Sequence, residues 1–329
     1  MHRREFVAAA AATAGVVGSG ALGCSAPGTG SRAAAAASTP MDAAAFHASR
    51  RFATTAFGRI AYVERGSGPA ALFIHGLPLN GFQWRGALDR LSPDRHCIAP
   101  DAMSLGYSEI PEGQSFAPEA QARMLAAFLD TLAIREVDIV ANDSGGAIAQ
   151  LFVAAYPERV RTLLLTNCDV HEDSPPPAFL PVIEAARAGT FVDAVLVPQL
   201  KDKAVVWSKD GLGTCCYTKR EHPTDEAIDT YLAPLASSPL RKAQFHAYCI
   251  ELARNPLVAI EPALKRCQAP MRVIWGTGDT IFDPKGADWL AKTFPNSRGV
   301  RRIEGANLFF PEELPDVIAE EARKLWGAA

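Results

Sequence analysis

The residue best suited to covalent chemistry is Asp143, which stands where an apolar stretch turns into a helix. Residues 139–149 read IVANDSGGAIA, which predicts a strand, a sharp turn and the start of a helix. An elbow of the form small–x–nucleophile–x–small holds its central residue on a strained turn above a sheet, and ANDSG at 141–145 has this form. A carboxylate is already ionised at neutral pH, so it can displace a leaving group from carbon without a base and form an ester. The spacing therefore predicts Asp143 as a nucleophile.

Two other interpretations of this turn stay open. A frame shifted by one residue makes Ser144 the nucleophile, but it puts Asn142 at the tight first position, and a serine hydroxyl needs a neighbouring base. Alternatively, Asp143 and Ser144 simply cap the helix that follows, since both residue types are preferred at that position.

Motifs around the elbow resemble, in order and spacing, those of the α/β-hydrolase family over residues 51–326. They are FIHGLP at 73–78, APD at 99–101, SLGYS at 104–108, YPERV at 156–160 and VIWGTGD at 273–279. The aspartate at the elbow places the resemblance in the branch of epoxide hydrolases and haloalkane dehalogenases. The resemblance implies an α/β fold, with a mostly parallel eight-stranded sheet flanked by helices and covered by a helical lid.

Alternating apolar and amphipathic stretches predict the elements of such a fold. The predicted strands are 52–55, 60–64, 70–75, 97–100, 137–141, 162–167, 271–276 and 299–304, and the predicted helices are 118–132, 145–156, 284–293 and 312–326. The alternation stops in a proline-punctuated helical stretch, where the family carries its lid. We therefore expect a core of residues 49–168 and 267–329 and a lid of residues 169–266.

The resemblance implies a catalytic histidine after the last strand, and this chain has none there. Residues 305–313 read GANLFFPEE, which puts Leu308 at the histidine position, and no histidine follows His246. We expect the general base to be non-standard or missing. His171, after the sixth predicted strand, could supply it from another direction, although a surface histidine in a polar turn is the alternative. Asp279 stands at the position of the family's acid.

Other residues are expected around the substrate. The backbone amides of Leu77 and Ser144 should form an anion hole, with His75 and Gly76 shaping the same loop. Trp84 is expected to pack beneath the pocket.

The resemblance also bears on the substrate. Epoxide hydrolases use lid tyrosines to polarise the epoxide oxygen, and three tyrosines are available for this role or for ordinary packing: Tyr217, Tyr231 and Tyr248. Haloalkane dehalogenases tend to hold the halide with a tryptophan beside the nucleophile, where this chain has Ser144. Asn167 and Asp169 lie where some members with an aspartate nucleophile carry an alternative acid.

Composition narrows the function further. The formal net charge is −3 and no basic stripe is present, which excludes nucleic acid as an expected partner. No spacing suits a metal site, and no cofactor is expected. We predict an exported enzyme that uses Asp143 on a small apolar epoxide, halide or ester. The alternatives are a ligand-binding or non-hydrolytic relative of the fold and, with less support, a serine esterase.

The N-terminus has the pattern of an export signal. Arg3 and Arg4 precede an Ala- and Gly-rich apolar run, which is typical of a twin-arginine signal over residues 1–24. Cys24 could carry a lipid anchor, the one expected membrane contact. Residues 25–48 are rich in Ala, Gly, Ser, Thr and Pro and predict a flexible linker. The protein should therefore be periplasmic, extracellular or lipid-anchored; the sequence does not indicate an oligomeric state.

Overall fold

The computed structural model describes residues 41–328 and contains one eight-stranded sheet. Its strand order is β1-β2-β4-β3-β5-β6-β7-β8. The strands are β1 (Arg51–Thr55), β2 (Gly58–Arg65), β3 (Ala70–Ile74), β4 (His96–Pro100), β5 (Val137–Asp143), β6 (Val160–Cys168), β7 (Met271–Gly276) and β8 (Ser297–Ile303). β2 pairs antiparallel with β1 and β4, and all other pairs are parallel. The predicted fold class is confirmed.

The central strands are buried on both faces, and their sequences are mostly apolar. Every residue of β3 and β5 is buried, as helices on both sides of a parallel sheet require. β5 extends two residues beyond the predicted strand and includes Asp143, so the helix after it begins directly at Ser144. The elbow thus joins the two elements without an intervening loop.

The helices are α1 (Ala43–Ala48), α2 (Arg85–Leu91), α3 (Pro118–Thr131), α4 (Ser144–Ala155), α5 (Leu180–Arg187), α6 (Val197–Lys201), α7 (Leu212–Cys216), α8 (Asp225–Ala236), α9 (Pro239–Glu251), α10 (Leu257–Leu264), α11 (Lys285–Thr293), α12 (Phe310–Glu313) and α13 (Pro315–Trp326). Helices α5 to α10 lie between β6 and β7, and we call this segment the helical insertion. The single helix predicted over 312–326 is divided at Pro315, which has no N–H to continue the backbone ladder.

The predicted flexible linker ends too late. Residues 43–48 form α1, whose first turn is capped by the Asp42 carboxylate. Phe46 is buried and its ring contacts Phe82 with the centroids 5.1 Å apart. One aromatic side chain with an apolar site to fill is enough to order this short segment. The predicted signal over 1–24, the Cys24 anchor and the rest of the linker lie outside the described residues.

Cysteines are unpaired throughout the described chain. Cys97 and Cys168 are buried in the core, and the other thiols are those of Cys215, Cys216, Cys249 and Cys267. Among residues 41–328, no cluster of His, Cys, Asp and Glu could hold a metal ion. Over the same range, no helix is long and apolar enough to cross a membrane.

Candidate active site

Asp143 occupies a strained turn at the end of β5. Its φ of 55° and ψ of −137° lie outside the regions that a residue with a side chain prefers. The tight turn requires glycine two residues later, because a Cβ on Gly145 would lie 2.5 Å from the carbonyl oxygen of His75. The sequence thus adopts the elbow frame centred on Asp143.

Backbone amides donate to the Asp143 carboxylate. The Leu77 N–H donates to Oδ2 at 2.9 Å, and the Ser144 N–H also donates to this carboxylate. Gly76 leaves the space for this contact, because any Cβ there would collide with the Asp143 side chain. The two expected anion-hole donors therefore bind Asp143 itself.

The His75 ring is fully engaged within the protein. Ala102 N–H donates to its Nε2 at 3.0 Å, so Nδ1 carries the proton and donates to the Gly76 carbonyl at 2.9 Å. Burial lowers the pKa of His75. The ring is therefore neutral and fixes the loop that presents Leu77.

Asp143 lines a cavity of about 270 Å³ between the sheet edge and the helical insertion. Its other polar lining residues include Ser144, Asp169 and Gln199, and its wall is mostly apolar: Leu77, Phe179, Val182, Phe191, Val195, Leu196, Leu212 and Leu308. Such a cavity suits a small apolar molecule held against a few polar groups.

Two buried carboxyl groups share this cavity. Asp143 pairs in register with Cys168, and Asp169 is the next residue. Burial raises the pKa of Asp169 to about 7, although a hydrogen bond from the Ser174 hydroxyl at 2.9 Å acts to lower it. Burial and then the negative charge of Asp169 raise the pKa of Asp143, which the amide hydrogen bonds partly offset. At least one of these two carboxyl groups therefore keeps its proton near neutral pH.

Comparison with known proteins identifies the family. A family model described as the alpha/beta hydrolase fold matches residues 69–314. The chain belongs to the α/β-hydrolase fold family.

Several α/β-hydrolase relatives have assigned activities. Haloalkane dehalogenase 2 of Mycobacterium tuberculosis is 29% identical over 267 residues, covering 80% of this chain and 89% of the relative. A cis-3-alkyl-4-alkyloxetan-2-one decarboxylase of Shewanella oneidensis is 28% identical, with coverages of 71% and 74%. The solved structure of epoxide hydrolase CorEH has a TM-score of 0.68 at 19% identity, covering 84% of this chain and 98% of that one. The prediction of an enzyme of the α/β-hydrolase superfamily is confirmed.

His171 does not line the cavity of this α/β-hydrolase. Its Nε2 lies 3.1 Å from Glu261 Oε2, and its ring stacks on Trp289 with the centroids 4.6 Å apart. A φ of 48° turns the chain at this point. The structure therefore does not bring His171 to Asp143, and the surface interpretation accounts for its contacts.

Asp279 is buried beside the site and anchors a loop. Its carboxylate accepts from Asn167 Nδ2 at 2.7 Å and from the Ile281 N–H at 2.8 Å. Burial raises its pKa. It does not line the cavity, but the next residues, Thr280 and Ile281, do.

The expected aromatic residues lie outside the cavity lining. The Tyr217 hydroxyl donates to Glu312 Oε2 at 2.6 Å, and that of Tyr248 donates to Ser144 Oγ at 3.1 Å. Trp84 is fully buried against Phe73. Neither Tyr217 nor Tyr248 presents its hydroxyl to the cavity wall; Tyr248 reaches the site only through Ser144.

Leu308 is the residue that the sequence predicts at the histidine position of the family. It lines the cavity together with Asp143, and its carbonyl accepts from Asn142 Nδ2 at 3.1 Å. This hydrogen bond joins the segment that carries Leu308 to the elbow. The Leu308 side chain adds only apolar surface to the cavity.

Leu308→His should raise the rate at which an ester on Asp143 is hydrolysed. The new imidazole would face the cavity, and a positioned base contributes typically ~10²-fold or more. The measurement is the decay of the adduct by intact mass, with Leu308→Gln as a control of similar polarity. An unchanged decay rate in a folded Leu308→His variant would contradict this placement.

Asp169→Asn should stabilise the protein more at pH 8 than at pH 5. The raised pKa means that the native state keeps a proton that the unfolded chain, with a pKa near ~4, has lost. Folding stability therefore falls as the pH rises from about 4 toward 7. The side-chain amide of the new asparagine does not titrate, so the variant lacks this loss. The increase in thermal midpoint caused by Asp169→Asn should be larger at pH 8 than at pH 5 by ~2 °C or more. Equal increases at the two pH values would contradict the raised pKa of Asp169.

Proposed function

We propose that this α/β-hydrolase-fold enzyme uses Asp143 as a nucleophile on a small, mostly apolar epoxide, halide or ester. The observation that carries the proposal is the carboxylate on the strained elbow, aimed into an apolar cavity with one oxygen held by the Leu77 amide. The hydrogen bond orients the other oxygen, Oδ1, for attack.

The first step is a displacement at carbon. Oδ1 forms a C–O bond while the bond to the leaving oxygen or halide breaks with its electron pair, and the product is an ester of Asp143. Water then adds to the acyl carbon and gives its proton to a base. The negative oxygen of that intermediate lies at the Leu77 and Ser144 amides, and its breakdown restores the carboxylate and releases an alcohol.

The similarity to named enzymes adds support. A haloalkane dehalogenase and an oxetan-2-one decarboxylase are among the relatives, and haloalkanes and oxetan-2-ones are small molecules with an electrophilic carbon. The apolar wall contributed by Phe179, Phe191 and Leu212 favours substrates of this kind.

A serine esterase is less well supported. Ser144 Oγ receives its hydrogen bond from the Tyr248 hydroxyl, whose pKa burial raises far above neutral. No histidine of the described chain lines the cavity, so Ser144 lacks the base that a serine nucleophile needs.

The experiment combines turnover with mapping of the elbow peptide. The protein is incubated with styrene oxide or 1-bromobutane in ¹⁸O-labelled water, and the peptide containing Asp143 is analysed by mass spectrometry. We expect either a covalent adduct on Asp143 or, after turnover, ¹⁸O in its carboxylate, because the attacking water supplies one oxygen.

Two outcomes would contradict the proposal. Turnover with neither adduct nor label on Asp143 would exclude it as the nucleophile. Absence of turnover, adduct and label across a broad panel of epoxides, halides and esters would favour a ligand-binding or non-hydrolytic relative.

We further propose that the protein is exported by the twin-arginine route, on the strength of Arg3, Arg4 and the apolar run after them. Cell fractionation of the natural chain beside an Arg3→Lys/Arg4→Lys variant tests this. Retention of both in the cytoplasm would contradict it.

A further inference from the structure

We propose that Asp169 replaces the absent histidine as the group that moves protons in this site. It donates a proton to the leaving oxygen when the Asp143 ester forms, and it then accepts a proton from the water that hydrolyses that ester. This inference rests on the proposed function of Asp143.

The sheet register brings Asp169 to the nucleophile. β5 and β6 are parallel neighbours, and Asp143 at the end of β5 pairs with Cys168 at the end of β6. The next residue is Asp169, and both aspartates line the same cavity. A proton carried by Asp169 is therefore available where the bonds of the substrate change.

Asp169 is held firmly in place. The Ser174 hydroxyl donates to Asp169 Oδ1 at 2.9 Å, and the main-chain carbonyl of Asp169 accepts from Gln150 Nε2 at 2.8 Å. The residue is only 5% exposed. A general acid or base acts efficiently when packing fixes its orientation in this way.

Among the other polar residues of the lining, Asp210 is exposed to solvent, and Gln199 and Cys216 are poorly suited to this role. Gln199 is satisfied internally, donating to the Val195 carbonyl and accepting from the Leu212 N–H. Burial raises the pKa of Cys216, so its thiol stays neutral. The lining contains no histidine, lysine or arginine from the described residues.

Two carboxyl groups and two neutral groups lie around Asp169. Besides burial, the charge of Asp173 raises the pKa of Asp169, and burial and then the charge of Asp169 raise the pKa of Asp143. Tyr248 and Cys168 stay neutral, because burial raises the pKa of each. Two amides donate to Asp143, and the Ser174 hydroxyl and a backbone N–H donate to Asp169. The reactive form carries the charge on Asp143, beside the Leu77 N–H, and the proton on Asp169.

The cycle balances for an epoxide. As Oδ1 of Asp143 attacks carbon, the epoxide C–O bond breaks and its oxygen takes the proton of Asp169, which leaves a hydroxy ester and an Asp169 carboxylate. That carboxylate removes a proton from water as the oxygen of water adds to the ester carbonyl. The acyl C–O bond then breaks and the diol oxygen takes the second proton of that water, so Asp143 returns as a carboxylate, Asp169 keeps its proton and no net proton is consumed.

This arrangement selects a class of substrate. A leaving oxygen needs a proton, whereas a halide departs as a stable anion and does not. The cavity lining also contains no indole N–H among the described residues to hold a halide. We therefore infer that small strained oxygen rings, epoxides in particular, are processed in preference to haloalkanes.

Asp169→Asn separates the two proton transfers. With styrene oxide, we expect turnover to fall by ~10²-fold or more and any Asp143 ester that does form to persist. With 1-bromobutane, formation of the Asp143 ester should stay within about threefold of wild type, while its hydrolysis is lost. In wild type the rate of ester hydrolysis should rise with pH through the titration of Asp169, and this rise should be absent from the variant.

Controls keep the two proposals distinguishable. Glu172→Gln changes an exposed carboxyl group outside the cavity lining and should leave turnover within about twofold. Adding Leu308→His to Asp169→Asn should restore ester hydrolysis. Wild-type turnover and pH dependence in Asp169→Asn would overturn the role of Asp169 and leave Asp143 as the nucleophile. Lack of adduct and label on Asp143 in both proteins would overturn the proposed function itself.

Discussion

Asp143→Asn should abolish covalent capture of styrene oxide and 1-bromobutane and reduce turnover by ~10⁴-fold or more, as loss of a nucleophile typically does. An amide is a far weaker nucleophile than a carboxylate and cannot form the same ester. The fold should survive, because the side-chain oxygen of asparagine can still accept the hydrogen bond that the Leu77 N–H gives to Asp143. Removal of the buried charge should even raise the thermal midpoint at neutral pH.

The comparison variant is Ser144→Ala, measured with both compounds. It keeps the backbone N–H that supports the site and loses only the hydroxyl contact with Tyr248. Retention of the adduct in Ser144→Ala and its loss in Asp143→Asn would locate the nucleophile. The reverse pattern would support the serine frame of the elbow.

Arg85→Met should destabilise the protein by about 3–5 kcal/mol, the typical cost of leaving a buried charge without its partner. Arg85 Nη1 lies 2.6 Å from Glu312 Oε1, and both side chains are almost fully buried. Burial opposes the charge of Arg85, but Glu312 beside it keeps the pKa of Arg85 above its ordinary value. Urea unfolding with tryptophan fluorescence measures the loss.

Two further variants test the cause. In Arg85→Met/Glu312→Leu the orphaned charge is gone, so much of the lost stability should return. Arg187→Ala breaks an exposed pair with Glu184 and should cost less than about 1 kcal/mol. A loss in Arg85→Met no larger than that of Arg187→Ala would contradict a structural role for the buried pair.

The pair also connects the helical insertion to the segment that carries Leu308. Glu312 accepts from the Tyr217 hydroxyl, and the neighbouring Glu313 accepts from the Thr218 and Lys219 amides. Arg85→Met should therefore loosen the cavity wall, and turnover should decline with the stability.

The sequence predicts the sheet and the elbow well because local signals determine them. Continuous apolar runs specify buried parallel strands, and the small residues around Asp143 permit a turn that other side chains would block. The motifs at 73–78 and 273–279 fall at the ends of β3 and β7, where the carboxyl ends of parallel strands meet. The register of β5 and β6, however, is decided by packing, so the meeting of Asp143 and Asp169 was not predictable from either segment alone.

Side-chain direction explains the remaining differences. His171 and Asp169 lie two residues apart, yet one stacks on Trp289 and the other lines the cavity. The Tyr217 hydroxyl donates its hydrogen bond to Glu312, a residue 95 positions further along the chain. Such partners are chosen by tertiary structure, and neither spacing nor residue type specifies them.

The unpaired cysteines make the protein sensitive to oxidation when it unfolds outside a reducing compartment. Residues 41–328 contain six thiols, and five of them are buried in the folded chain, so oxidants reach those five only when the fold opens. Six thiols can join in 15 ways, and most crosslinks would trap the opened chain. If the protein is exported, its survival would then depend on how seldom it unfolds rather than on equilibrium stability, and folding before translocation would protect it.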